Sequence, residues 1–439
     1  MKMTSPEIRK LFLEYFAAND HLVIGSSSLV PVSDPTLLIV NSGMAPLKPY
    51  FTGEKQPPRP RLCNIQKCVR TSDIESVGDR HHLTFFEMMG NWSIGDYFKE
   101  KAIALAWQLI KDVFGFDTSK AYITVYGGDK NLPNVLPDNE TAKIWENIGL
   151  SPDRIIKLGA KSNFWGPAGE TGPCGPCTEI FIDRGEEYGC GQAGCGPECE
   201  CGRFLEIWNA GVFMQYYLHE DKTLTELPLR SVDAGAGLDR FAVILQEVDS
   251  VYETDLLKPI VEVLISGTNL NSESRSVRII TDHIRCATFM IADGIYPGNT
   301  RREYVLRRIL RRASLYANFL EIDQNYLVMA NNAVVELFSQ YYPELEFNRE
   351  VIESVIKQEN ATFSKTLKRG LKQFNRVLTR SQKTVSGEDA FKLHDTYGFP
   401  LDLTKELAKE RGLQVDEEGY GFHLEEQRER SRQKELKIN

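Results

Sequence analysis

The order of apolar segments predicts an α+β protein, in which a sheet domain over residues 1–250 is followed by an all-helical domain over residues 251–439. Two observations support this prediction. Short apolar runs bounded by turn residues, which are typical of strands, recur through the first 250 residues. Beyond them, apolar residues recur at helical spacing almost to the end of the chain. Strands followed by helices favour an α+β fold or two separate domains.

The first predicted element is a helix that begins after Thr4 and ends near Asn19. Thr4 and Glu7 have the spacing of a capping box, and Pro6 suits the first helical turn. The apolar residues that follow share one helical face: Ile8, Leu11, Phe12, Tyr15 and Phe16. A helix is therefore expected to lead into the sheet domain.

Later patterns predict the remaining elements. Short apolar runs predict strands at 22–24, 37–40, 122–125, 204–208 and 212–217. The last two runs are expected to be joined by a turn at 209–211, and residues 238–246 predict a helix. The Gly- and Pro-rich run 163–179 predicts a shaped loop instead of a regular element. A heptad-like pattern over residues 350–378 predicts one long helix.

Composition and charge limit the classes of function. The chain has 439 residues, of which 42% are hydrophobic and 26% charged, as is ordinary for a soluble globular protein. It has no apolar run of about 18 residues and no segment after Met1 that resembles a signal peptide. We therefore expect a cytoplasmic protein without membrane segments or structural disulfides. The net charge of −9 disfavours a generally basic nucleic-acid binder, although it is compatible with a local basic patch.

Two blocks could hold an anionic nucleotide. Arg70 ends a predicted strand and is followed by a polar loop and an aromatic return strand. Arginine supplies a forked cation for phosphate, and an aromatic ring can stack on a base. Gly235, Gly237 and Arg240 stand at a predicted helix start, where glycine admits a ligand close to the backbone and the helix favours anions. The alternatives are a β-hairpin with a solvated arginine and an ordinary tight turn.

Together these blocks resemble a known enzyme family. The strand–loop–strand block resembles motif 2 of the class II aminoacyl-tRNA synthetases, and the block ending at Arg240 resembles their motif 3. Seven segments are similar to the alanyl-tRNA synthetase family: Cys68–Arg70, Thr84–Met88, Gly90–Asn91, Gly95–Phe98, Thr171–Glu179, Glu206–Asn209 and Asp395–Pro400. The resemblance implies an antiparallel-sheet catalytic domain followed by a helical tRNA-recognition domain. The family's editing and C-terminal domains are expected to be missing from this chain.

The resemblance implies an alanine:tRNA ligase, which uses ATP and Mg²⁺ to activate L-alanine as alanyl-adenylate. The alanyl group then passes to the 3′ end of tRNA(Ala). Arg70 is expected to hold the α-phosphate of ATP, and Arg240 the terminal phosphates. Phe86 and Met88 are expected to lie against adenine, with Gly237 beside the nucleotide.

Glu206 is implied by the resemblance to lie near Mg²⁺. Because charge builds on phosphate oxygens in this reaction, catalysis depends mainly on positioning and electrostatic clamping. Two arginines and Mg²⁺ suit that task, and no activated Ser, Cys or Lys nucleophile is required.

The resemblance also implies an alanine pocket. Trp165 is expected to wall the methyl group, Asn209, Val212 and Gly235 to line the rest, and Asp233 to accept the substrate ammonium. Such a pocket excludes large side chains by size. It cannot reject glycine strongly, because one methylene is worth only about 1–3 kcal/mol, and serine is also hard to refuse.

The loop between Arg70 and Thr84 is shorter than in many family members and lacks their Gly-Gly-Lys-His segment. Arg80 or His82 is expected to substitute for the missing lysine and histidine. His81 and His82 are expected to orient the hairpin and not to bind a metal.

The second domain carries the expected RNA contacts. By resemblance, Asn299 and Asp395 match the residues that read the acceptor-stem G·U wobble pair, and the shallow minor groove of A-form RNA is open to such side chains. Arginines crowded near residue 300 are expected to contact tRNA phosphates: Arg301, Arg302, Arg308 and Arg312. The alternative for half of this cluster is a solvated face. We expect a monomer.

Four cysteines are clustered within twelve residues of a Gly-rich stretch: Cys190, Cys195, Cys199 and Cys201. Clustered cysteines in a cytosolic protein indicate metal binding or chemistry, and four thiolates could bind Zn²⁺. The alternative is free thiols. Cys174 and Cys177 are expected to serve the shape of their loop.

Two other functions remain open. A paralogue could activate alanine, or another small amino acid, for a carrier other than tRNA; the arginine cluster and Asp395 disfavour this. A catalytically inactive RNA-binding protein is the second alternative, and it is disfavoured by the joint presence of Arg70, Asp233 and Arg240.

Overall fold

The computed structural model describes residues 2–435 except Ser33, Pro35 and Gly267. The chain forms two compact units. The first contains the chain up to residue 73 together with 79–259, and the second contains the short segment 74–78 and the chain from residue 260 onward. Within the described part of the chain, no helix combines the length and apolar character needed to cross a membrane.

A nine-stranded sheet forms the centre of the first unit. In chain order its strands are β1 Leu22–Val23, β2 Arg61–Val69, β3 Phe85–Ile94, β4 Ala121–Tyr126, β5 Ile155–Leu158, β6 Phe164–Trp165, β7 Gly172–Asp183, β8 Phe204–Leu218 and β9 Leu224–Gly237. Their spatial order is β1-β2-β3-β9-β8-β7-β4-β5, with β6 paired to β7. The pairs from β2 across to β4 are antiparallel, and the outer pairs β1–β2 and β4–β5 are parallel. The predicted α+β class is confirmed.

Helices of the first unit pack on this sheet. They are α1 Ser5–Ala18, α2 Lys48–Phe51, α3 Lys99–Gln108, α4 Asn139–Asn147, α5 Ala160–Asn163 and α6 Leu238–Leu245. The predicted start of α1 is confirmed, because the Thr4 backbone N–H donates to Glu7 Oε2 at 2.8 Å. Its apolar face buries Ile8, Phe12 and Phe16. The predicted helix after the glycine pair is α6.

The predicted strand at 37–40 is wrong. Leu37 and Val40 are buried in an apolar cluster with Trp92, yet they lie in irregular backbone. Val40 makes only isolated backbone bonds, donating to Leu29 and accepting from Val69. The apolar run at 37–40 therefore indicates that these residues are buried, but not that they form a β-strand.

Two other predictions are corrected in β7 and β8. The predicted turn at 209–211 is a bulge inside the continuous strand β8, where the register with β9 shifts between Asn209 and Val212. Much of the predicted loop at 163–179 is strand β7. Glycine is required there, because a Cβ on Gly175 would lie 1.9 Å from the carbonyl oxygen of Phe213. Gly and Pro in these strands mark bulges and close backbone approach.

The second unit is helical. Its helices are α7 Lys258–Ile265, α8 Arg275–Ala292, α9 Arg301–Phe319, α10 Gln324–Phe338, α11 Pro343–Phe347, α12 Arg349–Arg380, α13 Gly387–Tyr397, α14 Leu401–Lys409 and α15 Glu417–Glu435. Two short strands, β10 Thr384–Val385 and β11 Gln414–Val415, pair in parallel. The predicted long helix is α12, which buries Ile352, Ile356, Phe363, Leu367 and Phe374 along one side.

Candidate active site

Residues from neighbouring strands meet on one face at the centre of the sheet. Met88 of β3 lies opposite Gly237 of β9, and Trp92 lies opposite Asp233. Cross-strand partners point to the same face, and every second residue of a strand returns to it. Phe86 therefore shares this face with Met88 and Trp92. The predicted adenine contacts lie toward one end and Asp233 toward the other.

An open cleft of about 580 Å³, called the nucleotide cleft after the contacts predicted for it, lies at the Phe86 end of this face. All six residues predicted to bind ATP line it: Arg70, Phe86, Met88, Glu206, Gly237 and Arg240. A volume of this size is ordinary for a small-molecule site. The Arg70 guanidinium carbon lies 4.8 Å from the centroid of the Phe86 ring, and Arg70 Nε donates to the carbonyl oxygen of Asn41 at 3.3 Å. A forked cation and an aromatic face thus border the same cleft.

Arg240 is held at the cleft by Glu206. Its Nη1 donates to Glu206 Oε2 at 2.8 Å and to the Glu206 carbonyl oxygen at 3.0 Å. Burial, and then the charge of Glu206, raise the pKa of Glu179 well above its usual range. Asn209 Nδ2 donates to Glu179 Oε1 at 3.3 Å. A divalent cation beside the Glu179 and Glu206 side chains would relieve the repulsion between their negative charges.

Asp233 is a buried carboxylate that forms no ion pair with any residue in the described part of the chain. The residue is 6% exposed. Among the described residues, its side chain accepts one hydrogen bond, from Trp92 Nε1 at 2.7 Å. Burial raises the pKa of Asp233 to about 7. Unpaired buried charges are costly and are concentrated at functional sites, so this position suits the ammonium group of a ligand.

Trp165 and Val212 lie together at the end of this face that is predicted to bind the amino acid. Both belong to or pack against the apolar cluster that contains Trp92 and Met214. Trp165 also lines a second open cleft of about 850 Å³, which shares Arg70 with the nucleotide cleft. An apolar wall therefore adjoins both the buried carboxylate and the arginine.

Asn209 and Gly235 face each other across β8 and β9. Asn209 Oδ1 is buried and has no hydrogen-bond partner within the described residues, so it can accept one from a ligand. A Cβ on Gly235 would lie 2.7 Å from Met88 Sδ. Glycine at this position thus lets β9 lie close under the Met88 side chain.

Asp79 organises the loop after Arg70. Its Oδ1 accepts hydrogen bonds from the backbone N–H groups of His81 and His82 at 3.0 and 2.8 Å, and its Oδ2 lies against His82 Nδ1. The bond to Asp79 raises the pKa of His82, whereas burial lowers the pKa of His81 to about 4. Arg80 is exposed, while His82 lines the nucleotide cleft. Of the two expected substitutes, His82 is the one at the cleft.

The candidate RNA contacts lie in the second unit and differ in exposure. Asn299, Arg301 and Asp395 are exposed, and Arg302 is half-buried. Asn299 Oδ1 accepts a hydrogen bond from Arg307, and Asp395 accepts one from Gln427. Four arginines of α9 pair with carboxylates of the same unit: Arg307 and Arg311 with Glu359, Arg308 with Glu75 and Asp402, and Arg312 with Glu406. None of the described residues pairs with Arg301 or Arg302. Part of the positive charge on α9 is therefore neutralised by carboxylates of the second unit.

Arg312 is 2% exposed. It donates to Glu406 at 2.6 to 3.0 Å and to the carbonyl oxygen of Ile74 at 2.8 Å, and its Nη1 lies 2.9 Å from His283 Nε2. A phosphate could not reach it without displacing these partners, so the expectation that Arg312 contacts tRNA does not fit its position. Arg312 instead holds the short segment around Ile74 and Val77 inside the second unit.

Replacing Arg312 by alanine is expected to lower the free energy of unfolding by about 3–5 kcal/mol, because the largely buried Glu406 carboxylate loses its main cation. Urea unfolding followed by circular dichroism measures this change. Arg302→Ala is the matched control on the same helix and is expected to stay within about 0.5 kcal/mol of the parent. Equally small changes in both variants would contradict the structural role of Arg312.

The four clustered cysteines also come together. Their sulfur atoms all lie within 4.8 Å of one another. Cys174 and Cys177 are buried in β7, away from this cluster in the sequence, and burial raises the pKa of both thiols.

Sequence patterns alone do not identify three residues of the site. Glu179 approaches Glu206 only because β7 and β8 pair with their particular bulges. Trp92 meets Asp233 through the register of β3 and β9. Asn41, whose buried Oδ1 has no partner among the described residues, lies in irregular backbone. Glu179 carried a sequence signal, because it ends one of the segments that resemble the synthetase family, and Trp92 lies on the aromatic return strand after Arg70.

Comparisons with known proteins show the family to which this chain belongs. The family model described as tRNA synthetases class II (A) matches residues 7–439. The alanine–tRNA ligase of Natranaerobius thermophilus is 46% identical over 441 residues, which cover 98% of this chain and 49% of that protein. The alanine–tRNA ligase of Dehalococcoides mccartyi strain BAV1 is 45% identical over 435 residues, with 98% and 49% coverage. The chain thus spans about half the length of the curated relatives it matches.

Solved structures are much less similar. Apo S. aureus histidyl-tRNA synthetase aligns over 56% of this chain and 68% of its own, with 11% identity and a TM-score of 0.33. This likeness is too weak to bear on function.

Proposed function

The chain belongs to the class II (A) tRNA synthetases, and on this premise we propose that it is the aminoacylation part of an alanine:tRNA ligase. The carboxylate of L-alanine displaces pyrophosphate from ATP to give alanyl-adenylate, and the alanyl group then passes to the 3′ end of tRNA(Ala). The observation that carries this proposal is the buried Asp233 carboxylate, which has no ion-pair partner among the described residues, on the same sheet face as an arginine-bordered cleft. A carboxylate binds an ammonium group, and an arginine binds a phosphate.

ATP is proposed to bind in the nucleotide cleft. Arg70 would take the α-phosphate, the Phe86 ring would lie against adenine, and Arg240 would exchange its Glu206 partner for oxygens of the terminal phosphates. Mg²⁺ supplies charge neutralisation at those phosphates. Glu206, with the Glu179 carboxylate beside it, is a donor set that suits a hard divalent cation.

L-Alanine is proposed to bind at the other end of the same face. Asp233 would pair with its ammonium group, and the unpartnered Asn209 Oδ1 would accept a second hydrogen bond. Trp165 and Val212 would enclose the methyl group. Larger side chains are excluded by size, whereas glycine and serine are excluded only weakly.

The acceptor stem of tRNA(Ala) is proposed to bind the second unit. Asn299 and Asp395 are exposed and carry the donors and acceptors that read base edges in a shallow minor groove, here those of the G·U wobble pair. Arg301 and Arg302, which pair with no carboxylate among the described residues, would contact phosphates, and Arg308 would join them by releasing its carboxylate partners.

Amino-acid-dependent ATP–pyrophosphate exchange, without tRNA, tests the activation site. Strong exchange is expected with alanine and weaker exchange with glycine and serine, because the pocket discriminates by only about 1–3 kcal/mol. No exchange with large amino acids is expected. Absence of exchange with every amino acid would contradict the enzyme and favour an RNA-binding protein. Exchange with alanine but no charging of tRNA(Ala) would favour another carrier.

A further inference from the structure

The cysteine cluster has the geometry of a metal site. The Sγ atoms of Cys190 and Cys199 are 3.6 Å apart, and those of Cys195 and Cys201 are 3.5 Å apart. All four sulfur atoms lie within 4.8 Å of one another. A tetrahedral zinc ion with bonds of about 2.3 Å places its sulfur ligands about 3.8 Å apart. The four thiols therefore already stand close to the arrangement that one ion needs.

We propose that these four cysteines bind one structural Zn²⁺ as thiolates. The loop that carries them joins β7 to β8, and its middle part lacks the residues to form an apolar core of its own. Residues 189–202 include five glycines and no large apolar side chain. A segment that cannot bury an apolar core needs a covalent or metal crosslink to remain ordered. One tetrahedral centre supplies that crosslink for the whole loop.

Two disulfides would be the other way to fix this loop. Each disulfide would require only its own pair of sulfur atoms to be close, Cys190 with Cys199 and Cys195 with Cys201. The structure instead places all four sulfur atoms within 4.8 Å of one another. A single tetrahedral ion requires all four thiols to lie close to one another, whatever their spacing in the sequence.

The loop forms a wall beside the nucleotide end of the active site. Cys199 and Gly202 line a cleft of about 480 Å³ together with His82, Glu206 and Arg240. Arg240 is the residue proposed to clamp the terminal phosphates of ATP. The position of this wall therefore limits the space that a triphosphate can occupy.

The ends of the loop are fixed independently of a metal. Arg203 forms a bidentate ion pair with Asp183, in which Nε donates to Oδ1 at 2.8 Å and Nη2 to Oδ2 at 2.9 Å. This pair lies where the loop leaves and rejoins the sheet. Ser162 Oγ donates to Glu198 at 3.2 Å. The zinc ion is thus expected to order the part between these anchors, and its loss should move the wall without unfolding the sheet.

Metal content of the purified chain tests the assignment. Elemental analysis of the reduced protein is expected to give about one zinc per chain, and Co²⁺ substitution should give the intense visible bands of tetrahedral thiolate coordination. Cys195→Ser and Cys199→Ser should lose the metal, whereas Cys286→Ala, which removes a buried thiol from α8, should keep it. Iron in place of zinc, two disulfides, or no metal after incubation of the reduced chain with Zn²⁺ would overturn the proposal.

A kinetic test asks whether the cysteine loop shapes the ATP site, and it rests on the proposed function. Removing zinc is expected to raise the KM for ATP in the exchange assay roughly tenfold, as a small displacement beside the phosphates would, and to leave the KM for alanine unchanged. An unchanged KM for ATP would overturn the role of the loop at the nucleotide site. If the zinc-loaded chain shows no exchange at all, the proposed function fails, while the zinc assignment is still judged by metal content.

Discussion

Replacing Asp233 by asparagine is expected to raise the KM for alanine in the exchange reaction roughly 10²–10³-fold, with little change in the KM for ATP. Asparagine preserves the size of the side chain and can still accept the hydrogen bond from Trp92 Nε1. It removes the negative charge that the substrate ammonium would meet. Loss of one partner of a buried ion pair costs about 3–5 kcal/mol, and each 1.4 kcal/mol corresponds to about tenfold in affinity.

The pH dependence of alanine use gives a second readout of this prediction. Because burial raises the pKa of Asp233 to about 7, the free protein carries the ionised carboxylate mainly above that pH. The kcat/KM for alanine is therefore expected to fall as pH drops below about 7, and this limb should disappear in Asp233→Asn. Asp96→Asn, a change at a surface carboxylate that pairs with Arg61, should retain the limb.

Asp233→Asn should weaken alanine binding but increase the stability of the fold at neutral and higher pH. The folded-state pKa of Asp233 lies above its unfolded value of about 3.9, so ionisation opposes folding and stability falls as pH rises from about 4 to about 7. Asp233→Asn removes that penalty. Its Tm should exceed that of the parent at pH 8, and the difference should shrink as pH falls toward 4. A lower Tm at pH 8 together with an unchanged KM for alanine would contradict the proposed role.

The fold was predictable where apolar spacing and hydrogen bonding agree. Helix α1 combines an apolar face with a capping box, so both its existence and its start follow from the sequence. Val40 shows the limit, because burial in a core cluster produces the same apolar run as a strand does. The bulge between Asn209 and Val212 shows another, because a local shift of register and a true reversal use the same small residues.

The sequence offers a signal for the candidate site where the relevant residues are close together in the chain. Gly237 and Arg240 lie at one helix start, and the structure places both at the same cleft. The burial of Arg312 was not predictable, because Arg312 lies one helical turn from Arg308 and only partners distant in the chain, among them Glu406 and Ile74, cover it. Helical periodicity assigns a residue to a face, but the partner that covers this face comes from elsewhere in the chain.

Replacing Arg240 by alanine is expected to lower kcat/KM for ATP in the exchange reaction by about 10²–10³-fold, because removal of one preorganised donor to a developing charge typically has that effect. The KM for alanine should change much less. Arg230→Ala is the control on the preceding strand, since Arg230 is exposed and its guanidinium lies over the Phe98 ring. Equal losses in the two variants would indicate a general defect instead of a phosphate contact.

The expected loss of activity in Arg240→Ala depends on the free energy of the Glu206 ion pair that Arg240 would give up for a phosphate. Its ion pair with Glu206 is partly exposed, with 28% and 36% of the two side chains accessible, and such pairs contribute at most about 1 kcal/mol. Leaving Glu206 for a phosphate therefore costs little, while the guanidinium is already held at the cleft. Arg240→Lys should restore only a small part of the rate, because an ammonium lacks the planar fork that binds two phosphate oxygens. Full activity in the lysine variant would show that Arg240 supplies only charge.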